Sequence, residues 1–237
     1  FNAQNGWEVG SEIQARYARS HDKPIIAVIN QLDSEKASWE ASLDSIRAAS
    51  QVTPVVVQYP VNPGPDFNAF IDVLLMKMYK FKGDTGIREE LDIPAEEMER
   101  ATELNRILTE AAAENDEALM ELYFEKGVLT QDELRSGLKL GLAKRDLIPV
   151  FCASGKRDIG AKRLMEFIIN VAPGPLKAPN FVTVDGREIE PDSNGPTALF
   201  VFKTTVEPHL GEVTYFRVIS GKVTEGMELV NSKTGNK

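Results

Sequence analysis

The chain has few residues of the types that stabilise extracellular proteins or span membranes. Among its 237 residues there is one cysteine, Cys152. A single cysteine excludes an internal disulfide framework and suits a reducing compartment, so we expect a cytoplasmic protein. The longest continuous apolar runs, such as Ile25–Ile29, are far shorter than the roughly 20 residues of a membrane-spanning helix. No secretory signal opens the chain, and we expect no membrane partner.

Basic residues are in the minority. The chain has 27 Lys and Arg against 36 Asp and Glu, a net charge of −9. This balance argues against binding phosphates over the whole surface, so we expect no DNA partner. A local patch that meets RNA stays open. Hydrophobic residues make up 42% of the chain, which is ordinary for a globular protein with one large domain or two smaller ones.

The negative charge is concentrated in one helical segment. Residues 84–140 contain 16 acidic and 6 basic residues, so this segment alone accounts for the whole net charge. Pro94 suits a first helical turn, and Thr130-Gln131-Asp132-Glu133 is a capping box that opens a later helix. The segment is either a solvated helical surface or an acidic docking face for a basic or amphipathic partner.

The segments before and after the acidic helices predict strands of a parallel sheet. Ile25–Ile29 and Leu147–Cys152 are short apolar runs typical of buried parallel strands, and Val55–Tyr59, with its β-branched residues, predicts a further strand. Ser34 is a candidate cap for a helix over residues 35–49. From Thr197 onward, short strands alternate with glycine and proline, which favours the start of a β-barrel. Residues 227–231 are expected to form one of these strands.

Two loops carry the chemistry. Asn30-Gln31-Leu32-Asp33 follows the first strand, at the carboxyl end where parallel sheets bind ligands. The Asp33 carboxylate can accept two hydrogen bonds from the N1–H and 2-amino edge of guanine, whereas adenine offers no matching donors. Asn30 would bind the purine or tie neighbouring loops together. Taken alone, these four residues are equally consistent with an ordinary polar turn.

The second loop is Cys152-Ala153-Ser154-Gly155-Lys156, between the strand 147–152 and a helix from residue 160. Its small residues would let backbone N–H groups approach a base carbonyl. An ordinary loop is again the alternative. The chain contains no phosphate loop of the form G-x-x-x-x-G-K-S/T, so no catalytic residue is assigned and hydrolysis of GTP by these residues alone is not expected.

Several collinear stretches resemble translation elongation factor G, a translational GTPase. The first loop is similar to that family's Asn-Lys-x-Asp, and Pro149–Gly155 is similar to its Pro-Val-x-Cys-Gly-Ser-Ala. Glu117–Tyr123 resembles Glu-Leu-Met-Glu-Lys-Tyr of the family's inserted subdomain. Gly211–Gly221 resembles the opening of its second domain. The resemblance covers nearly the whole chain and indicates an internal fragment of such a factor or of a divergent paralogue.

The resemblance implies an α/β fold: a partial P-loop-GTPase-type parallel sheet with an inserted, mainly helical α+β subdomain, then the start of an all-β barrel. The expected divisions are the later half of the GTPase domain (1–66), the acidic insert (67–145), the end of the GTPase domain (146–175), a linker (176–194) and a truncated barrel (195–237). The implied guanine-binding residues are Asn30, Gln31, Asp33, Ser154, Gly155 and Lys156.

The resemblance also implies function and partners. The full-length protein would bind GTP or GDP with magnesium and couple GTP hydrolysis to movement of tRNA and mRNA on the ribosome. The acidic insert would meet the ribosomal stalk protein, and the second domain would rest on the small subunit. No tightly bound cofactor and no metal ligand is expected for this chain alone.

Two residues depart from the family pattern. Gln31 replaces a lysine whose stem covers the base and whose charge reaches the phosphate loop, and Gly155 replaces an alanine. Gln31 therefore predicts weaker nucleotide binding, unless neighbouring groups compensate. Two alternatives to a translocation GTPase stay open: a non-catalytic ribosome-binding module, and a ribosomal-protection or release-type GTPase.

Overall fold

The structure is a computed structural model that describes residues 1–177 and 179–236. Ala178 of the predicted linker and Lys237 of the predicted barrel lie outside the described residues. The chain divides into two compact units, one from Phe1 to Ala172 and the other from Pro173 onward. None of the helices in the described ranges is long and apolar enough to cross a membrane.

The first unit combines six helices with seven strands in its described residues. In chain order they are α1 (Val9–Ser20), β1 (Ala27–Ile29), α2 (Trp39–Ala49), β2 (Thr53–Val56), β3 (Gln58–Pro60), β4 (Ala69–Asp72), β5 (Lys77–Phe81), β6 (Arg88–Leu91), α3 (Ala95–Ala113), α4 (Glu117–Lys126), α5 (Gln131–Lys144), β7 (Leu147–Cys152) and α6 (Ala161–Val171).

A three-stranded parallel sheet forms the centre of this unit, in the order β1-β7-β2. Every residue of β7 is buried, as expected for the middle strand of a sheet covered on both faces. Ile29 pairs with Cys152 and Val56 with Val150. The predicted parallel α/β sheet is confirmed, and β1 and β7 end beside each other.

A second, antiparallel sheet follows in the order β3-β4-β5-β6. The β-branched segment at residues 55–59 predicts one strand, but the structure divides it between the two sheets. Val55 and Val56 pair with β7, whereas Tyr59 pairs with Ile71 of β4. The chain changes sheets at Val57, whose N–H still donates to the Val150 carbonyl at 2.9 Å.

The helix starts agree with the sequence in part. Helix α2 begins at Trp39, and Ser38 rather than Ser34 caps it, accepting a hydrogen bond from the Ala41 N–H at 3.3 Å. The Ser34 N–H instead closes a turn onto the Gln31 carbonyl at 3.0 Å. Pro94 lies at the cap of α3, one residue before the first turn.

The predicted capping box at the start of α5 is confirmed. The Glu133 N–H donates to Thr130 Oγ1 at 3.4 Å, and the Thr130 N–H donates to Glu133 Oε2 at 2.7 Å. The Thr130 hydroxyl bond lowers the pKa of the Glu133 carboxyl below its usual value, and the backbone bond adds to this effect. Two backbone donors that would otherwise lack a partner in the helix are therefore satisfied.

The acidic segment folds into β6, α3, α4 and most of α5. Leu108 of α3 and Leu138 and Leu142 of α5 are buried together in a core that also includes Phe151 of β7. Helix α4 has no buried residue, and Phe124 on it is 80% exposed. The charged residues of the segment therefore cover the outside of a helical layer that packs on the parallel sheet.

A buried ion pair joins α6 to the antiparallel sheet. Arg163 Nε lies 2.8 Å from Asp72 Oδ2, and the two side chains are 6% and 0% exposed. Asp72 Oδ2 also accepts from Gln58 Nε2 at 3.0 Å, and Asp72 Oδ1 accepts from the Leu75 N–H at 3.0 Å. Arg163 reaches Glu166 as well, at 3.3 Å. These extra bonds offset the cost of removing both charges from water.

The second unit consists mainly of antiparallel hairpins. A 3-10 turn (Pro175–Lys177) precedes the two-residue strands β8 (Phe181–Val182) and β9 (Glu188–Ile189), so part of the predicted linker forms a hairpin. Strands β10 (Ala198–Glu207) and β11 (Gly211–Ser220) form a long hairpin. The antiparallel strands expected after the α/β region are confirmed. The strand predicted at 227–231 is wrong, because those residues adopt an irregular conformation.

Arg163→Ala is expected to destabilise the first unit by about 3–5 kcal/mol, because it leaves the Asp72 carboxylate buried without its cation. Urea denaturation followed by tryptophan fluorescence measures this, since both tryptophans, Trp7 and Trp39, lie in the first unit. The matched control is Arg135→Ala, which removes a surface pair with Asp132 and should change stability by less than about 1 kcal/mol. Equal stabilities of the two variants would contradict a structural role for the buried pair.

Candidate functional site

The two predicted loops lie side by side at one edge of the parallel sheet. Because β1 and β7 are adjacent and parallel, the loops that follow them leave the sheet at the same end. Backbone bonds continue the pairing beyond the strands: the Ala153 N–H donates to Ile29 O at 2.9 Å, and the Leu32 N–H donates to Ala153 O at 3.3 Å. Leu32 is fully buried and anchors the first loop in the core.

Asp33 and Ser154 are in direct contact. The Ser154 hydroxyl donates to Asp33 Oδ1 at 2.6 Å, across 121 positions of the chain. Ser154 is fully buried, while Asp33 is half-buried. A hydroxyl bond to one carboxylate oxygen restricts the rotation of the carboxylate. The Asp33 side chain is thus held in place, and its carboxylate can still accept further hydrogen bonds.

Asn30 joins the loops a second time. Its Oδ1 accepts from the Gly155 N–H at 2.9 Å. Its backbone also pairs with the first residues of the chain: the Asn30 N–H donates to Phe1 O at 2.8 Å, and the Ala3 N–H donates to Asn30 O at 2.9 Å. Asn30 is expected either to bind the purine or to join the loops, and in the structure its side chain joins the loops. A base carbonyl that used the Gly155 N–H would have to compete with Asn30 for it.

Gln31 and Lys156 are exposed at the outer ends of the two loops. Gln31 adopts φ of 64°, the left-handed region that few residues other than glycine, asparagine and aspartate favour. An open depression beside the first loop is lined by Phe1, Asn2, Trp7, Glu8, Val9, Gly10, Ser11, Asn30 and Gln31. Gln31 therefore contributes both to this depression and to the loop that carries Asp33.

The two glycines near the second loop differ in importance. A Cβ built at Gly155 would meet only the Asn30 side chain, at 3.7 Å, so the family's alanine would fit there without strain. Close packing therefore does not require glycine at position 155. Gly160, the cap of α6, has φ of 90°, and its Cβ would lie 2.6 Å from the Cys152 carbonyl oxygen. Gly160 is the position where the turn into α6 needs a missing side chain.

Cys152, at the end of β7, is fully buried, and burial raises the pKa of its thiol well above the ordinary value. A neutral, enclosed thiol is a packing residue rather than a reactive one. No group of three or more His, Cys, Asp and Glu side chains suited to a metal ion occurs in the described part of the chain.

The sequence does not indicate that a third loop, residues 61–68, contacts the first predicted loop and Arg157, the residue that follows the second. Its Gly64 N–H donates to the Leu32 carbonyl at 2.7 Å. Its Pro65 and Phe67 carbonyls accept from Arg157 Nη1, at 3.0 and 2.9 Å. The Asn-Pro-Gly-Pro sequence predicts a turn here but carries no signal that the turn faces the other two loops.

Comparison with known proteins finds similarity to one translation factor along the whole chain. Residues 196–237 match the family model described as elongation factor G domain 2. The chain is 32% identical over 243 aligned residues to elongation factor G of Thermotoga maritima, an alignment that covers all of this chain and 35% of that protein. A crystal structure of a protein from Thermus thermophilus superposes with a TM-score of 0.78 and 29% identity, covering 93% of this chain and 31% of the other.

The fold is thus an α/β unit with a three-stranded parallel sheet and helices, followed by antiparallel strands, and it is similar to the Thermus thermophilus structure. The chain is similar to elongation factor G along its whole length, and residues 196–237 match the model of that factor's second domain. It spans about a third of the length of the proteins that it matches.

If the two loops form a guanine site, Ser154→Ala should weaken GDP binding by the full-length protein about tenfold. The variant removes the hydroxyl that orients Asp33, a hydrogen bond to a charged group with a net contribution of roughly 1.5 kcal/mol. Isothermal titration calorimetry measures the change. Ser20→Ala, which removes a hydroxyl bonded to the Tyr17 carbonyl in α1, is the control and should bind GDP normally. Unchanged GDP affinity in Ser154→Ala would contradict the assigned role of this hydroxyl.

Proposed function

We propose that the protein carrying this chain binds guanine nucleotides through the two loops after β1 and β7. Asp33 accepts the N1–H and 2-amino hydrogens of the base, and Ser154 holds its carboxylate in position. The Gly155 N–H, now bonded to Asn30, is the donor for the base carbonyl. The observation that supports this most directly is the 2.6 Å hydrogen bond between Ser154 and Asp33. It joins two loops, each of which the sequence separately indicates as a candidate for binding guanine.

The residues present fit the base end of GTP or GDP and not its phosphate end. A carboxylate, an amide side chain and a backbone N–H match the hydrogen-bonding edge of guanine. The chain contains no phosphate-loop sequence, so the residues that hold the phosphates and magnesium are assigned to other parts of the full-length protein. Bound GTP supplies a phosphoanhydride bond whose hydrolysis drives the cycle, while the residues described here select and retain the nucleotide.

We further propose that the full-length protein is a ribosomal translocation factor that couples GTP hydrolysis to tRNA and mRNA movement. The similarity to elongation factor G over the whole chain supports this assignment. The proposed ribosomal partners are the stalk protein, through the acidic insert, and the small subunit, through the second domain. The exposed Phe124 on α4, flanked by Glu121 and Glu125, favours a partner that is both basic and apolar.

Asp33→Asn is expected to lower GDP affinity about a hundredfold or more and to raise affinity for xanthosine diphosphate. An asparagine offers one acceptor and one donor, which match the N1–H and 2-carbonyl of xanthine and oppose the 2-amino group of guanine. Nucleotide titrations of the full-length protein measure both affinities. Asp44→Asn, in an exposed pair with Arg47 on α2, is the control. A variant that keeps its preference for GDP would refute the guanine site.

The alternative function, a non-catalytic ribosome-binding module with weakened nucleotide binding, is favoured by one residue. Gln31 stands where the related factors have a lysine over the base, and a cation against an aromatic face contributes about 0.5–2 kcal/mol. Ribosome-stimulated GTP hydrolysis by the full-length protein would support the GTPase, whereas its absence together with ribosome binding would support the module. A ribosomal-protection or release-type GTPase shares these loops and would be distinguished by the reaction it promotes.

Gln31→Lys is expected to tighten GDP binding about twofold to thirtyfold, because it restores a cation over the base. Release of a fluorescent GDP analogue in stopped flow measures the effect as slower dissociation. Gln51→Lys adds the same charge in the exposed turn after α2 and should leave the rate unchanged. If Gln31→Lys does not slow release, neighbouring groups already compensate for Gln31, and the alternative function loses its support.

A further inference from the structure

Arg157 directly follows the second guanine loop (residues 152–156), and the first guanine loop is residues 30–33. The Arg157 side chain contacts two other loops of the first unit. Its Nη1 donates to the carbonyls of Pro65 and Phe67, at 3.0 and 2.9 Å. Its Nε lies 2.6 Å from Asp84 Oδ1, in the turn between β5 and β6. The Arg157 side chain is only 21% exposed. A single guanidinium therefore satisfies three acceptors from two loops of the antiparallel sheet.

The backbone of Arg157 contacts the guanine loop itself. Its N–H donates to Ser154 Oγ at 3.3 Å. Because that bond occupies a lone pair of the serine oxygen, the serine hydrogen points away from Arg157, toward Asp33 Oδ1 at 2.6 Å. The orientation of the Asp33 carboxylate thus depends on a chain of two hydrogen bonds that begins at residue 157.

The first loop is held against the same support. The Gly64 N–H donates to Leu32 O at 2.7 Å, and the Asn62 side chain closes the third loop through bonds to Asp66 O and Asn68 Oδ1, at 2.8 and 3.1 Å. Residues 61–68 therefore contact Leu32 on one side and Arg157 on the other. Both guanine loops are fixed to one internally bonded turn of the antiparallel sheet.

We propose that Arg157 is a positioning residue for guanine recognition, which ties the second guanine loop to residues 65–67 and 84 and thereby sets the direction of the Asp33 carboxylate. This inference rests on the proposed guanine site and adds a residue outside it. Arg157 touches no part of the nucleotide in this scheme. It acts through Ser154, and its loss should affect selectivity for the base as well as affinity.

The test compares GDP with inosine diphosphate, whose base lacks the 2-amino group and so offers Asp33 a single hydrogen bond. In the unaltered full-length protein GDP should bind more tightly than inosine diphosphate. In Arg157→Ala, GDP affinity should fall about tenfold, equivalent to about 1.4 kcal/mol, while inosine diphosphate loses less. The ratio of the two dissociation constants should therefore shrink at least about threefold. A purely structural defect would weaken both nucleotides equally.

Two further variants make the outcome decisive. Arg135→Ala removes a partly exposed arginine that pairs with Asp132 on α5, and it should leave both dissociation constants unchanged. Arg157→Lys keeps the charge and stem but cannot serve three acceptors with the same planar geometry. Arg157→Lys is the variant to measure if Arg157→Ala does not fold. Its ratio of the two dissociation constants should lie between the ratios of the unaltered protein and the alanine variant.

The results separate this inference from the proposed function. If the unaltered protein binds GDP and the Arg157 variants fold with an unchanged ratio, the positioning role is refuted and the guanine site stands. If the unaltered protein binds neither nucleotide, the proposed guanine site is refuted and the positioning role with it. A reduced ratio in Arg157→Ala, partly restored in Arg157→Lys, supports the inference.

Discussion

The parallel pairing of β1 with β7 is the constraint on which the candidate site depends. The two strands are separated by the whole antiparallel sheet and the acidic helices, yet Ile29 and Cys152 are direct partners. Parallel neighbouring strands end at the same edge of the sheet. The loops that follow them are therefore brought together by the strand pairing itself, without a ligand. At that edge the Ser154 hydroxyl donates a hydrogen bond to Asp33, so the order of the strands places the two side chains of the candidate site together.

The antiparallel sheet also helps to hold the candidate site together. The buried Arg163–Asp72 pair attaches α6 to β4. The third loop, between β3 and β4, accepts hydrogen bonds from Arg157 and donates one to Leu32 of the first loop. The two candidate loops are therefore held by the antiparallel sheet as well as by their own bonds. Acidic side chains lie mainly on α3, α4 and α5, so the first unit supports the site and exposes its acidic surface with different elements.

Much of this arrangement was predictable, and the failures have local physical reasons. The all-apolar run of β7 and the Thr130–Glu133 capping box were recognised because burial and capping leave direct marks on the sequence. The segment at 55–59 predicts one strand although it contributes to two sheets, because a residue buried in either sheet has the same sequence preference. Ser34 does not cap the helix because residues 31–37 form turns and α2 begins only after Ser38. The third loop was missed because its partners lie on distant segments.

The sequence by itself determined the chemistry available at the site: a carboxylate, an amide and a hydroxyl in two short loops, each placed after an apolar strand. It also determined the acidic character of the helical segment, since charge is a property of composition. Only the tertiary structure decided which groups meet. The Asp33–Ser154 contact and the three acceptors of Arg157 join residues far apart in the chain. Such contacts depend on strand order and loop path, which local residue preferences do not encode.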